Sequence, residues 1–270
     1  MRSAWTLALL LLLLPPSALG HGPVQNAGIE DFLTSSSITV ILAAGALAGI
    51  FAAVSIFRKR KTGKQKMFLF LGIIIPVLLA TAYTAGGTIY LNLISESGGP
   101  VHWHTDFEIW KCGEMVDLKD PEGLLNRVGS SVLHEHGDDR IHIEGVVVEL
   151  EEIELGSFFQ EAGGQLTEDG LILPTEEGLV RMVNGEECAG APAELQGFLL
   201  RVTNPDAGRK GGFTFAQQKL EDIPEYMPAS YSNVPPGDCL ILEFDVPKER
   251  TNRLCETYRL AMEKGELRES

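Results

Sequence analysis

Apolar positions crowd towards the N-terminus of this 270-residue chain, in three runs of unequal length. The shortest, Leu7 to Leu14, follows Arg2 and ends at Pro15 and Pro16. With the small residues Ala18 and Gly20 behind it, this run predicts a signal peptide over residues 1–20, cleaved after Gly20. Ile38 to Phe57 is a 20-residue stretch without a charge, long enough to cross a hydrocarbon core of about 30 Å. Met67 to Ile94 is longer and equally uncharged, and its Pro76 and Gly86-Gly87 are tolerable in a membrane helix pair. Residues 21–37 are then an outer N-terminal tail, and residues 38–57 and 67–94 are transmembrane helices. Ala44, Gly45, Ala48, Gly49, Ala52 and Ala53 offer a small-residue surface for close packing of the two spans. Neither span contains Asp, Glu, Lys, Arg or His, so the pair reads as an anchor without an ion path.

Between the spans, residues 58–66 hold six Lys and Arg in nine positions. A basic loop of this kind stays in the cytoplasm, which puts residues 95–270 on the extracytoplasmic side of the cell membrane.

That C-terminal region alternates between short strand-like and helix-like patterns. Strands are expected at 106–111 and 115–118, as a hairpin around Cys112-Gly113-Glu114, and at 140–150, 197–203 and 239–246. A further strand at 179–183 runs into Asn184-Gly185, a strong hairpin dipeptide. Helices are expected at 156–162, 214–220 and 249–264. Gly208 to Gly212 reads as a surface turn, because it opens no phosphate-binding pattern. The expected class is α+β: a two-helix anchor, then a mainly antiparallel or mixed sheet with short helices.

Charge narrows the function. From Ser95 onward there are 15 Lys and Arg against 35 Asp and Glu, a formal −20, within −15 for the whole chain. Such a surface repels phosphate backbones, so nucleic acid is excluded as a partner. The membrane is the expected partner, alongside a metal-transfer or envelope protein. All four cysteines fall in this region, which reads as two disulfides in an oxidising compartment. Three pairings are open. The similar Gly-Glu surroundings of Cys112 and Cys188 favour joining these two, leaving Cys239 with Cys255.

The histidines carry the chemistry. Five of the six lie within 41 residues, as His102-Trp103-His104, His134-Glu135-His136 and His142. Residues i and i+2 of a strand share a face, so each pair presents two imidazoles to one point. With Glu144 on the alternation of His142, these residues form a candidate site for a divalent transition metal, copper or zinc. Asp106, Glu108, Asp138 and Asp139 are alternative ligands or groups that orient an imidazole. His21 is a further candidate, since cleavage after Gly20 would give it an α-amine able to chelate copper with its ring.

The stretch from Leu133 through His134-Glu135-His136 to Ile141-His142-Ile143-Glu144, with His102-Trp103-His104 before it and Leu155-Gly156-Ser157-Phe158-Phe159 after it, resembles a group of prokaryotic exported or membrane-anchored proteins. That group carries an H-x-H strand, then L-H-x-H-D, I-H-[IV]-E and L-G-x-F-F. The match spans roughly residues 100–163, with an echo at Val183-Asn184-Gly185, and Gly137 stands where the pattern often has Asp. The resemblance implies a shared histidine site; the group has no established activity to lend. His102-x-His104-x3-Glu108 is also similar to the ligand core of the first cupin motif, without its glycine spacing or its second motif. Two spans with an outer domain are similar to oxidase subunit II, whose closely spaced copper cysteines are absent.

Three classes of function fit. One is a non-catalytic metal binder for capture, sensing or delivery, the reading these residues favour. The second is a metalloenzyme, oxidoreductase or hydrolase, with an open three-His site and Glu135, Glu144 or Glu108 as base. The third is an envelope module whose grouped imidazoles respond to pH.

Overall fold

The computed structural model describes residues 29–122, 126–203, 212–228 and 237–270. The expected signal peptide, His21 and most of the glycine-rich turn at 208–212 lie outside them. Contacts group the chain into two units that part between Ile94 and Ser95.

The first unit contains helices α1 (Ile29–Phe57) and α2 (Gly63–Ile94). Both are long and apolar enough to cross a membrane, and Leu42, Phe57, Leu78 and Leu93 expose their side chains along them. Such outward apolar surface suits lipid and not water. Two expected boundaries move. Residues 29–37 are helical and not a tail, and α2 begins within the basic loop at Gly63. The helices meet differently from the small-residue expectation. Gly45 and Gly49 have nothing within 4 Å of where a Cβ would stand, whereas a Cβ on Gly72 would lie 2.7 Å from the Phe51 ring. Phe51 also packs edge-on against Phe68, and Ser36 Oγ and Tyr83 Oη share a 2.8 Å hydrogen bond between the helices.

The second unit is α+β, built on a nine-stranded mixed sheet. Its strands are β1 (Pro100–Lys111), β2 (Glu114–Met115), β3 (Val128–Gly129), β4 (Leu133–Glu135), β5 (Arg140–Val146), β11 (Glu194–Val202), β12 (Phe213–Lys219), β13 (Asp238–Asp245) and β14 (Leu267–Glu269). The order is β14-β12-β11-β13-β1-β5-β4-β3, with β2 folded back on β1. Strands β1 and β13 are parallel, as are β12 and β14, and the other pairs are antiparallel. A three-stranded sheet of β6 (Gln165–Thr167), β7 (Gly170–Thr175) and β8 (Gly178–Val183) and a β9 (Glu187–Cys188)–β10 (Ala191–Pro192) ribbon complete the strands.

One face of the large sheet carries the main core. Phe107, Ile109, Leu133, Ile141, Ile143, Leu240, Leu242 and Phe244 point into a core closed by helix α3 (Leu155–Glu161) and by Leu166, Leu171, Leu173 and Met182 of the small sheet. The L-G-x-F-F run is part of this core. Leu155, Phe158 and Phe159 are fully buried, and Gly156 lets the Pro224 carbonyl approach to accept its N–H at 2.9 Å. The other face is divided. Helix α4 (Glu256–Glu263) covers β11, β12 and β13 through Phe198, Leu200, Phe215, Ile241 and Tyr258, leaving β5, β4 and the histidine-bearing part of β1 outside that second core, against which only Trp110 of β1 packs.

The disulfides are Cys112–Cys188 and Cys239–Cys255, and among the four cysteines none is free. The first ties the β1–β2 turn to the β9–β10 ribbon; the second ties β13 to the start of α4. Four expectations are corrected. Where a helix is expected at 214–220 the chain forms strand β12 (Phe213–Lys219), because β11 and β14 hydrogen-bond to it on either side. Asn184-Gly185 makes a turn, but the chain leaves it for β9 and does not return as a hairpin; β8 pairs only with the preceding β7. The C-terminal helix covers Glu256–Glu263 alone, and strand 140–150 ends at Val146 before a 3-10 turn at Leu150–Ile153.

Candidate metal centre

Strict alternation along β1 sends Val101, Trp103, Phe107 and Ile109 to the dry core and His102, His104, Asp106 and Glu108 to the other face. On β5 the same rule buries Ile141 and Ile143 and leaves Arg140, His142 and Glu144 beside the β1 set. Register then builds the site. His104 stands opposite His142, His142 opposite His134, and His102 opposite Glu144. Directly paired residues have Cβ atoms about 4.5–5.5 Å apart, so three imidazoles form a row across β1, β5 and β4. The fourth place in that row is Gly129 on β3. A side chain there is prohibited: its φ is +113°, and a Cβ would lie 2.4 Å from the Leu133 carbonyl oxygen.

The five rings are in continuous contact. Centroids are 4.5 Å apart for His102 and His104, 4.7 Å for His104 and His142, 4.8 Å for His142 and His136, and 4.7 Å for His136 and His134. His102, His104, His142 and Glu144 each offer one ligand atom, and these four atoms lie within 4.8 Å of one another. His102 Nε2 is 3.0 Å from Glu144 Oε1, and His142 Nδ1 is 3.9 Å from the same oxygen. Asp138 orients the central ring, with its carboxylate 3.2 Å from His142 Nε2. That interaction keeps the proton on Nε2 and turns the lone pair of Nδ1 inward, the usual arrangement behind a metal-bound imidazole. Among the described residues Nδ1 of His142 is buried and has no hydrogen-bond partner.

His136 lies just beyond β4, on the turn to β5. Its Nδ1 is 2.5 Å from the Asn126 carbonyl oxygen, which can only accept, so Nε2 carries the lone pair. Glu135 shapes this turn from the opposite side. Its buried carboxylate accepts the Asp138 N–H at 2.6 Å, and burial raises its pKa. It is therefore engaged with backbone amides and is not poised as a base.

The other candidate ligands sit apart from the row. Asp106 accepts Arg140 Nε at 2.5 Å and the Thr257 hydroxyl, while Glu108 accepts Trp110 Nε1 at 3.0 Å and Arg259 at 3.2 Å. These contacts form a polar seam between the histidine half of the face and the half under α4. Arg253 stacks 3.7 Å over the Trp110 ring at the same seam. The cupin-like reading of Glu108 as a third ligand is thus replaced by a structural ion pair. Asp139 faces Asp117 and Glu135, and burial first, then Asp117, raises its pKa to about 7. Asn126, Gly129, Thr257 and Arg259 were not legible as supports of the site. Their contributions are a carbonyl, a missing side chain and two contacts from distant sequence, and none leaves a local pattern.

Electrostatics favours ligation. Burial, reinforced by His142, His102 and Arg140, lowers the His104 pKa to about 4. Burial and then His136 bring His134 to about 4, and burial lowers His142 as well. Neutral imidazole is the form that binds metal. We expect the His104 and His134 rings of the metal-free protein to remain neutral at pH 5.5, where an ordinary histidine is mostly protonated. Ring-proton chemical shifts titrating with midpoints near 6.5 would count against this.

No family model, curated protein or solved structure matches this chain. Fold and site together define a protein with two membrane-capable helices and a disulfide-bonded α+β unit. That unit has a His/Glu group able to hold a metal ion.

Proposed function

We propose that this is a membrane-anchored protein whose C-terminal unit lies on the extracytoplasmic side and binds a divalent transition metal, copper or zinc, for capture, sensing or delivery. The observation carrying this reading is the convergence of three imidazoles and one carboxylate from two paired strands. The donor set suits borderline metals, for which imidazole is a good ligand, and not calcium, which takes six to eight oxygens. A bound ion would supply Lewis acidity. The chain's own contribution is to hold the rings neutral, to orient His142 through Asp138, and to leave one side open.

That open side favours transfer over a sealed structural role. The His102 side chain is 62% exposed and that of Glu144 41%, whereas His142 retains 10%. An ion would enter and leave past His102 while His142 stays fixed. The proposed sidedness is supported by the basic loop at 58–66 and by the two disulfides, which persist outside the reducing cytoplasm.

The test uses the full chain in detergent, without a polyhistidine tag, loaded with Zn2+ or Cu2+ and freed of excess ion by gel filtration. Metal measured by plasma mass spectrometry should reach at least one ion per chain in the wild type and be at least tenfold lower in a His104→Ala/His134→Ala/His142→Ala variant, which removes the whole row of imidazoles across β1, β5 and β4. Equal metal in both proteins would locate binding on the acidic surface and end the proposal.

A further inference from the structure

We infer that the histidine face is a two-ion centre, in which Glu144 bridges the four-donor site to a second site formed by His134 and His136. The inference rests on the metal-binding reading above and extends it.

A tetrahedral ion is complete with four protein ligands, or with three and a water. His102, His104, His142 and Glu144 already supply that number. His134 and His136 remain, and they are not spectators in geometry. Their rings meet edge to face at 4.7 Å. His136 is anchored through Nδ1 to the Asn126 carbonyl, so its Nε2 lone pair is available, as in many metal-bound histidines. His134 is only 2% exposed. Among the described residues its Nδ1 has no hydrogen-bond partner, and its Nε2 has only the Glu144 carboxylate at 3.9 Å.

The carboxylate is divided between the two groups. Glu144 Oε1 faces His102 at 3.0 Å and His142 Nδ1 at 3.9 Å, whereas Oε2 faces His134 Nε2 at 3.9 Å. A separation of 3.9 Å is too long for a hydrogen bond. It is within reach of two atoms that each bond one ion at about 2.0–2.2 Å. One carboxylate with an oxygen towards each histidine group is the arrangement that bridges ions about 3.5–4 Å apart. The second ion would take His134, His136 and Oε2, leaving a position for water. A centre of this kind suits binding of an anionic or oxygen-donor ligand between the ions.

The deciding quantity is the number of ions per chain. Full-length protein in detergent is loaded with Zn2+ alone, passed through gel filtration, and assayed for zinc and protein together. The wild type should hold two zinc ions, and His136→Ala and His102→Ala should each hold one. His136 is half-buried at a turn, so its loss leaves the core intact; near-UV circular dichroism verifies the fold of each variant. Two ions retained in His136→Ala would overturn the placement, and a single ion in the wild type would overturn the two-ion centre while leaving metal binding standing. No zinc in the wild type would remove both.

Discussion

Replacing Cys112 and Cys188 together by alanine is expected to lower the unfolding free energy of the C-terminal unit by about 4.5 kcal/mol. The two cysteines are 76 residues apart, and closing so long a loop removes much entropy from the unfolded chain. The corresponding change at Cys239 and Cys255, only 16 residues apart, should cost about 3 kcal/mol. Denaturant unfolding followed by tryptophan fluorescence measures both losses, and Trp103 and Trp110 report from β1 itself. The order is the sharper outcome. A larger loss from the 16-residue bridge would mean that native contacts between β13 and α4, and not loop closure, set the effect. The longer bridge also fixes the far end of the histidine-bearing strand, since Cys112 N–H donates to the Phe244 carbonyl at 2.8 Å.

Asp139→Asn should stabilise the protein at pH 8 by about 2 kcal/mol and have little effect at pH 4. In the unfolded chain this carboxyl ionises near 3.8, and in the folded protein near 7. Between those values the folded state holds a proton that the unfolded state has released, so folding is favoured as pH falls. Stability from this group is thus lost as pH rises from about 4 to 7, and above 7 the full penalty of a buried carboxylate beside Asp117 is present. Fully realised, such a shift corresponds to about 4 kcal/mol, and partial solvent access reduces it to about half. Asparagine removes the charge and tolerates the left-handed backbone at this position, where φ is +55°. Midpoints in urea at pH 8 and pH 4 check the prediction, and equal changes at both would refute it. The lowered histidines act in the opposite sense, with stability falling as pH drops from 6.5 towards 4. The comparison of wild type with variant therefore isolates Asp139, which the overall pH profile cannot.

Some of this architecture was open to reading from residues alone because its signals are local. The uncharged runs that became α1 and α2 need only length and composition. His102-x-His104 and His142-x-Glu144 needed only the two-residue period of a strand, which the pairing of His104 with His142 then turned into one face. What lay hidden is mostly non-local. Residues 214–219 contain Ala, Gln and Lys, good helix formers, yet they lie between β11 and β14 as a strand, and pairing on both sides outweighs propensities of a few tenths of a kcal/mol. The three-residue β14 has no pattern to detect. Asp106 and Glu108 share the alternation of the histidines, so spacing made them candidate ligands. Only the arrival of Thr257 and Arg259, some 150 residues later in sequence, shows where their charge is spent.

One strand serves two masters. Odd-numbered residues of β1 such as Phe107 and Ile109 complete the dry core, while the even-numbered His102 and His104 make the site. Exchange of a single residue alters one side or the other. Adding or removing one between Val101 and Trp110 would instead turn every downstream side chain over, setting imidazoles and carboxylates against Phe158 and bringing aromatic rings out to water. This segment is therefore a reading frame in three dimensions: it accepts point substitutions one face at a time, but its length is not negotiable.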